Sequence, residues 1–246
     1  MIQEQQQVRQ ESGPRSSRAH WLLELAGIGA FAVLAALIGG EIYLGAAAFG
    51  YAWLLPAVAV LAYLAADLAS GFVHFLADNF GSEETPILGP NSIEPFRDHH
   101  VDPKGITRND FVDNNGNNCL ASAPFMLLVY LFVPVAAAAW GYLFGAFFLM
   151  VCLAVFLINQ FHKWAHMDTP PGWVVRLQRW GLVLSKEHHD VHHESPYDTY
   201  YCITVGVWNP LLDRLRFFER AEHLIRRTIP GTDPLLRSER DGSLNG

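Results

Sequence analysis

Apolar residues fall into long blocks along the chain, separated by polar stretches. The first runs from Trp21 to Ile38, with Glu24 near its start and Glu41 just past its end. The second runs from Tyr51 to about Ala66, the third from Leu120 to Trp140, the fourth from Tyr142 to Ile158. Each approaches the roughly 20 residues that a helix needs to cross the hydrocarbon of a bilayer. Gly39-Gly40 reads as the end of the first block. Pro56 is tolerable in the second, where neighbouring helices can satisfy the freed carbonyl. The second helix is expected to run on through Asp67 to Phe80. Gly141 and its neighbours leave room for only a tight turn between the third and fourth.

The remaining segments are shorter or polar. Residues 1–18 are Gln-rich and without apolar periodicity, which predicts a flexible tail. No small-residue cleavage site follows the first apolar block at the distance a secretory signal needs. Gly81 to Asn118 is rich in Pro, Asn, Asp and Gly and too long for a simple linker, so it is a candidate functional stretch. Trp173 to Leu184 is amphipathic. Trp173, Leu177, Trp180 and Leu184 make one face and Arg176 and Arg179 the other, as in a helix lying in the membrane interface or one packed on the protein surface. Tyr197 to Trp208 is a short aromatic and β-branched run. Pro210 to about Arg227 reads as a charged amphipathic helix. The expected fold is all-α: an integral membrane bundle of four transmembrane helices with a cytoplasmic histidine-rich helical cap. A disordered cytoplasmic tail (1–20), a membrane domain (21–227) and a second disordered tail (228–246) complete the plan.

Charge adds a direction. The chain has 17 Lys and Arg, all in the N-terminal tail, in the 67–118 region or after His162. The short connections 39–50 and 140–142 contain none. Four spans put every positive charge on one face, which the positive-inside rule makes cytoplasmic, with both termini there. The formal net charge of −7 argues against nucleic-acid binding. Cys119, Cys152 and Cys202 show no CxxC spacing and read as buried thiols.

The candidate chemistry lies in the histidines. His188, His189, His192 and His193 put four imidazoles into six residues. Read as a helix, 188/192 and 189/193 share faces. His162 and His166 stand one turn apart at the end of the fourth block, His74 precedes Asp78 by one turn at the end of the second, and His99-His100 lie in the polar stretch. All four groups fall on the cytoplasmic side, near the membrane surface. Imidazole is the commonest neutral ligand for iron, zinc and copper. One zinc ion needs three or four ligands, fewer than this set offers. Eight imidazoles and a carboxylate fit two metals at four to five ligands each, and iron suits such a set where oxygen is activated. There is no HExxH of a zinc protease. The histidines avoid the span centres, where a b-type cytochrome would place them. Ionisable residues are almost absent from the midplane, where a transporter would place them.

The spacing HxxxH at 162–166 and HxxHH at 189–193 resembles the membrane fatty-acyl desaturase and hydroxylase superfamily. Wider runs sharpen the likeness: Asp67-Leu68-Ala69-Ser70-Gly71-Phe72-Val73-His74, Pro95-Phe96-Arg97-Asp98-His99-His100-Val101-Asp102-Pro103, Ile106-Thr107-Arg108, Asn115-Gly116-Asn117-Asn118 and Tyr201-Cys202-Ile203-Thr204. Over residues 67 to 225 these resemble the plasmanylethanolamine desaturase, or Kua-type, family. The resemblance implies a di-iron centre that uses O2 to form the vinyl-ether bond between C1 and C2 of the sn-1 alkyl chain of an ether phospholipid. It implies His74, His99, His100, His162, His166, His189, His192 and His193 as metal ligands, with Asp78 as a required catalytic carboxylate beside them. His188 would stand behind the ligands rather than among them. A plastid branch, which desaturates phospholipid acyl chains, resembles the same region and supplies the alternative reading, acyl desaturation or hydroxylation. The chain has neither GxGxxG nor CxxCH, so a separate electron donor of cytochrome b5 or ferredoxin type is expected. Arg214, Arg216, Arg220, Arg226 and Arg227 could dock it, or could simply follow the positive-inside rule. Arg97, Lys104 and Arg108 could meet the lipid phosphate. The expected location is a multi-pass membrane position with the site cytoplasmic, the inner membrane in a bacterium.

Overall fold

The computed structural model describes residues 17–229. Among these the regular elements are all helical and no strand occurs. Of the tails expected at 1–20 and 228–246, residues 1–16 and 230–246 lie outside the described residues, while Arg18–His20 open the first long helix and Thr228 ends the last. The helices are α1 (Arg18–Phe49), α2 (Leu55–Asn79), α3 (Glu94–Val101), α4 (Gly105–Arg108), α5 (Phe111–Phe132), α6 (Ala139–His166), α7 (Gly172–Arg179), α8 (Lys186–Asp190), α9 (Asn209–Arg214) and α10 (Phe217–Thr228). Three stretches are long and apolar enough to cross a membrane: Arg18–Phe49, Ala52–Asn79 and Ala139–His166. The chain divides into two compact units. One takes the described residues up to 66 together with 104–163, the other 67–103 and 164–229.

In the first unit α1 opens on Ser17, whose hydroxyl accepts the His20 N–H at 3.2 Å. The helix does not stop at Gly39-Gly40, as the sequence suggests, but runs on to Phe49. In apolar surroundings a broken helix leaves backbone groups with no water to bond, so two glycines cannot end it. Its buried side, Phe31 and Ile38, packs with Cys119, Met126 and Val129 of α5 and Leu149 and Cys152 of α6. Leu22, Leu25, Val33, Leu37 and Leu44 face outward.

The third apolar block differs most from expectation. Its helix, α5, starts at Phe111 rather than Leu120 and ends at Phe132 rather than Trp140. Asp110 sets the start, its carboxylate accepting the Asp113 N–H at 2.9 Å and the Trp21 indole N–H at 3.0 Å. The turn to α6 therefore falls at 133–138, and Gly141 lies inside α6. The first half of α5 is polar yet buried. Asn118 donates to Val155 O, Asn159 donates to Asn114 O and Asn115 donates to Phe111 O, at 2.7–2.9 Å. Gly116 lets α1 close on this polar stretch, since a Cβ there would lie 3.0 Å from Glu24 Cα and closer still to its side chain.

In the second unit Phe75, Tyr201, Cys202, Leu212 and Phe218 form a core beneath the end of α2. Two arginines cap that end. Arg97 donates to Gly81 O at 2.9 Å, and Arg226 donates to Asn79 O at 3.3 Å while lying 5.0 Å over the Phe80 ring. The amphipathic helix expected over 173–184 is the shorter α7, with Trp173 and Trp180 exposed. The helix expected over 210–227 breaks into α9 and α10 at Arg216, which has φ +50°.

Gly116→Ala tests the α1–α5 contact. Forced overpacking costs about 1–3 kcal/mol, so the variant should unfold at a lower temperature in detergent. Gly29→Ala, whose new Cβ meets nothing within 4 Å, should show no loss. Equal melting of both variants would contradict the packing.

Candidate metal centre

The last four turns of α2 present Asp67, Ser70, His74 and Asp78 on one buried face. Beside them runs the segment 199–206, which has no helix or strand of its own. Its backbone groups must bond elsewhere, and α2 supplies the partners. Asp67 Oδ1 accepts the N–H groups of Thr204, Val205 and Gly206 at 3.1, 2.9 and 2.9 Å. Ser70 Oγ accepts the Ile203 N–H at 3.0 Å. His74 Nδ1 lies 3.0 Å from Tyr201 O, and His192 Nδ1 lies 2.7 Å from Thr199 O. A carbonyl only accepts, so both Nδ1 atoms carry the hydrogen and both Nε2 atoms carry the lone pair.

The potential ligands gather into two groups, in each of which the ligand atoms lie within 4.8 Å of one another. One holds His74, Asp78, His100 and His192. Asp78 Oδ2 is its centre, 3.1 Å from His100 Nε2, 3.3 Å from His74 Nε2 and 3.7 Å from His192 Nε2. The other holds His99, His166, His189 and His193, with His162 one turn before His166 on the same unbroken helix. Here His99 Nε2 lies 2.8 Å from His166 Nε2, and His193 Nε2 lies 3.1 Å from both His99 Nε2 and His189 Nε2. The groups adjoin: the rings of His100 and His193 are 5.4 Å apart, and those of His192 and His193 are 5.5 Å apart.

These contacts fit metal ions better than hydrogen bonds. An imidazole nitrogen has one in-plane site, a hydrogen or a lone pair. His193 Nε2 therefore cannot bond two nitrogens at once, and His192 Nε2 is buried with no hydrogen bond. Ligand nitrogens about 2.1 Å from a shared ion at right angles stand about 3 Å apart, the separation these atoms have. Burial pushes the His192 and His193 imidazoles down to about 3, helped in His192 by the neighbouring His100 and in His193 by His166. Both are thus held in the neutral form a metal binds. Burial, followed by the nearby Asp78 charge, raises the Tyr201 phenol.

His188 joins neither group. Its Nε2 lies 3.1 Å from Asn209 Nδ2, which donates to it, and its ring lies against Tyr200 at 4.9 Å. The helix expected through the histidine cluster ends at Asp190, and 191–193 form a turn. Arg97, expected near a lipid phosphate, donates to the carbonyls of Phe80 and Gly81. Reading the residue types alone misses Asp67, Ser70, Thr199 and Asn209. The helical spacing of 67, 70, 74 and 78 is the signal that could find the first two. The roles of Thr199 and Tyr201 are carried by backbone oxygens, which no residue type announces.

A lipid desaturase domain matches residues 63–235, and the chain belongs to that family. It is 52% identical over 174 residues to a protein of Myxococcus xanthus named plasmanylethanolamine desaturase, covering 70% of this chain and 61% of that one. It is 42% identical over 167 residues to plasmanylethanolamine desaturase 1 of Mus musculus, covering 66% and 62%. It is 38% identical over 170 residues to the chloroplastic fatty acid desaturase 4 of Arabidopsis thaliana, covering 68% and 50%. The chain thus spans between half and about three-fifths of the length of these curated relatives. No solved structure matches.

The pH dependence of the metal-free protein follows from the two depressed imidazoles. Above pH 6.5 His192 and His193 are neutral folded or unfolded and contribute nothing. As pH falls from 6.5 towards 3 the unfolded chain takes up protons that the folded one refuses, so stability should fall across that window. Thermal melts of metal-stripped protein against pH measure this. A flat profile would show that the two rings are not held neutral.

Proposed function

We propose that this protein is an O2-dependent di-iron lipid desaturase that forms the vinyl-ether bond between C1 and C2 of the sn-1 alkyl chain of plasmanylethanolamine. One observation carries the reading: seven imidazoles and one carboxylate of the second unit form two adjoining groups, in a chain similar to two proteins named plasmanylethanolamine desaturase. His99, His162, His166, His189 and His193 would hold one iron, and His74, His100, His192 and Asp78 the other. Iron bound there would supply the oxidant that takes hydrogen from an unactivated C–H bond.

The chain's own residues set the conditions for that chemistry. Tyr201 O and Thr199 O hold the His74 and His192 rings with Nε2 inward. Asp78 brings negative charge against three imidazoles, which favours a cation among them. Burial keeps water away from the rings. Removal of two hydrogens with reduction of O2 to two waters takes two more electrons and two protons per turnover. An external donor of cytochrome b5 or ferredoxin type is therefore part of the proposal, as is a membrane phospholipid substrate. We place α1, α2, α5 and α6 across the membrane with both termini and the site on the cytoplasmic side, supported by the distribution of Lys and Arg. His188 serves as a support behind the ligands through Asn209, and 21–227 acts as one membrane desaturase domain.

A second reading, desaturation of a phospholipid acyl chain, draws on the likeness to fatty acid desaturase 4. Expression in a host rich in alkyl ether phospholipids separates the two. Acid-labile vinyl ethers should appear with the unaltered chain and vanish with His189→Ala, and purified protein should hold about two irons per chain. New acyl double bonds without vinyl ethers would favour the second reading. Asp78→Asn should lower activity by at least about tenfold and weaken iron binding. Full activity and iron content in that variant would remove Asp78 from the site.

A further inference from the structure

We propose that Asp67 is a positioning residue for one half of the metal centre, acting through the backbone of residues 199–206. The inference rests on the two-metal reading above.

The segment lies against α2 in strict order. As the helix is followed back from His74 to Asp67, the segment advances from Tyr201 to Gly206. His74 meets Tyr201 O. Gly71 meets Cys202, where a Cβ would lie 2.5 Å from Sγ and 3.3 Å from the backbone nitrogen, so only glycine admits the segment here. Ser70 meets Ile203 N–H and also donates to Asp67 O at 2.6 Å. Asp67 then ends the series by gathering three consecutive N–H groups on one oxygen, with the Trp208 N–H 3.5 Å from its second oxygen. Successive N–H groups turned towards one point form a concave anion site. Here the anion is a side chain of the protein itself, with none of its surface exposed. Asn209 holds the segment from its other side, accepting the Cys202 N–H at 2.8 Å and donating to Cys202 O at 2.9 Å.

The two carbonyls that fix His74 and His192 both belong to this segment, at Tyr201 and Thr199. Both histidines belong to the group around Asp78. Charge-assisted bonds are about twice as strong as neutral ones, so the three bonds to Asp67 are the strongest anchor the segment has on α2. Loosening it frees the acceptors that keep two imidazole Nε2 atoms aimed at one position. The effect should therefore fall on the Asp78 group before it reaches the group of His99, His166, His189 and His193.

The test uses the full chain in detergent, loaded with 57Fe, and reads iron per chain, the Mössbauer spectrum and helix content. The unaltered protein should show two iron components. Asp67→Asn should weaken binding of one iron about 10–100-fold and alter its component alone, with the other component and helix content kept. Ser70→Ala should shift the same component less. His189→Ala should remove the opposite component and spare the one that depends on Asp67. An Asp67→Asn protein with both components unchanged overturns the proposal, as does one that loses both irons together with its helices, since Asp67 would then serve only folding. An unaltered chain holding fewer than two irons overturns the two-metal reading and this inference with it.

Discussion

A neutral imidazole that points a lone pair inward carries its hydrogen on the other nitrogen, and an acceptor for that hydrogen outside the cluster fixes the ring, as it does for His74 and His192. The packing of residues 199–206 on α2 follows from this constraint. Carbonyls bonded within a helix or sheet are largely spent along the element's own ladder, whereas an irregular strip can turn them sideways towards a ring. Residues 199–206 form such a strip, and Thr199 and Tyr201 turn their oxygens to His192 and His74. The strip's remaining polar groups would be left unbonded in a buried place, at about 1–3 kcal/mol each. Asp67, Ser70 and Asn209 meet that demand. The buried polar face of α2 is thus the counterpart of an irregular backbone, which is itself the counterpart of two oriented histidines.

The sequence spacing of the candidate ligands reads as a geometric code once the groups are known. Pairs four apart address one group: His74 with Asp78, and His189 with His193. Consecutive residues address different groups: His99 against His100, and His192 against His193. On a helix one residue is a 100° step and four residues nearly a full turn, so α3 alone sends one ring to each side. In the 189–193 stretch the helix stops at Asp190 and the turn at 191–193 brings His192 away from His189. Two adjoining centres can therefore be fed from four short pieces of chain.

Much of this is legible in the amino-acid sequence. Histidine is rare enough, and its i,i+4 spacing regular enough, that the four groups stand out, as does the helical pattern that carries His74 and Asp78 on the second apolar block. The misleading signals are those of punctuation. Gly39-Gly40 has the look of a helix end, but a helix without water to bond its backbone continues to Phe49. The polar run Asp110 to Asn118 has the look of a loop, yet the amides of Asn115 and Asn118 find carbonyls on α5 and α6 and the run folds as buried helix. Arg216 breaks a periodic pattern through a backbone conformation that its residue type does not favour. The strip at 199–206 reads as an aromatic and β-branched run. Its partner Asp67 is far away in sequence, and a hydrogen bond to a backbone atom leaves no residue-type signature at the receiving end.

Helix length bears on where the candidate ligands sit. At about 1.5 Å per residue, the 25 residues of α2 and the 28 of α6 give rods of about 37 and 42 Å. The hydrocarbon layer is about 30 Å thick. Each rod exceeds it by one to two turns, and in each the ligands occupy the final two turns: His74 and Asp78 before Asn79, His162 and His166 at the end of α6. On α2 the face opposite His74 stays apolar, with Val73 and Leu76 exposed, so one helix can meet lipid on one side and carry ligands on the other. Under the proposed function, with these helices across the membrane, the C1–C2 bond of the glycerol-linked alkyl chain would lie near the depth where such a rod leaves the hydrocarbon. A ligand set at the helix ends can meet that bond with little displacement of the lipid, whereas a bond midway along an acyl chain would require the chain to bend or be drawn outward. The register of the candidate ligands against helix length is thus an argument for the proposed vinyl-ether substrate over the acyl one.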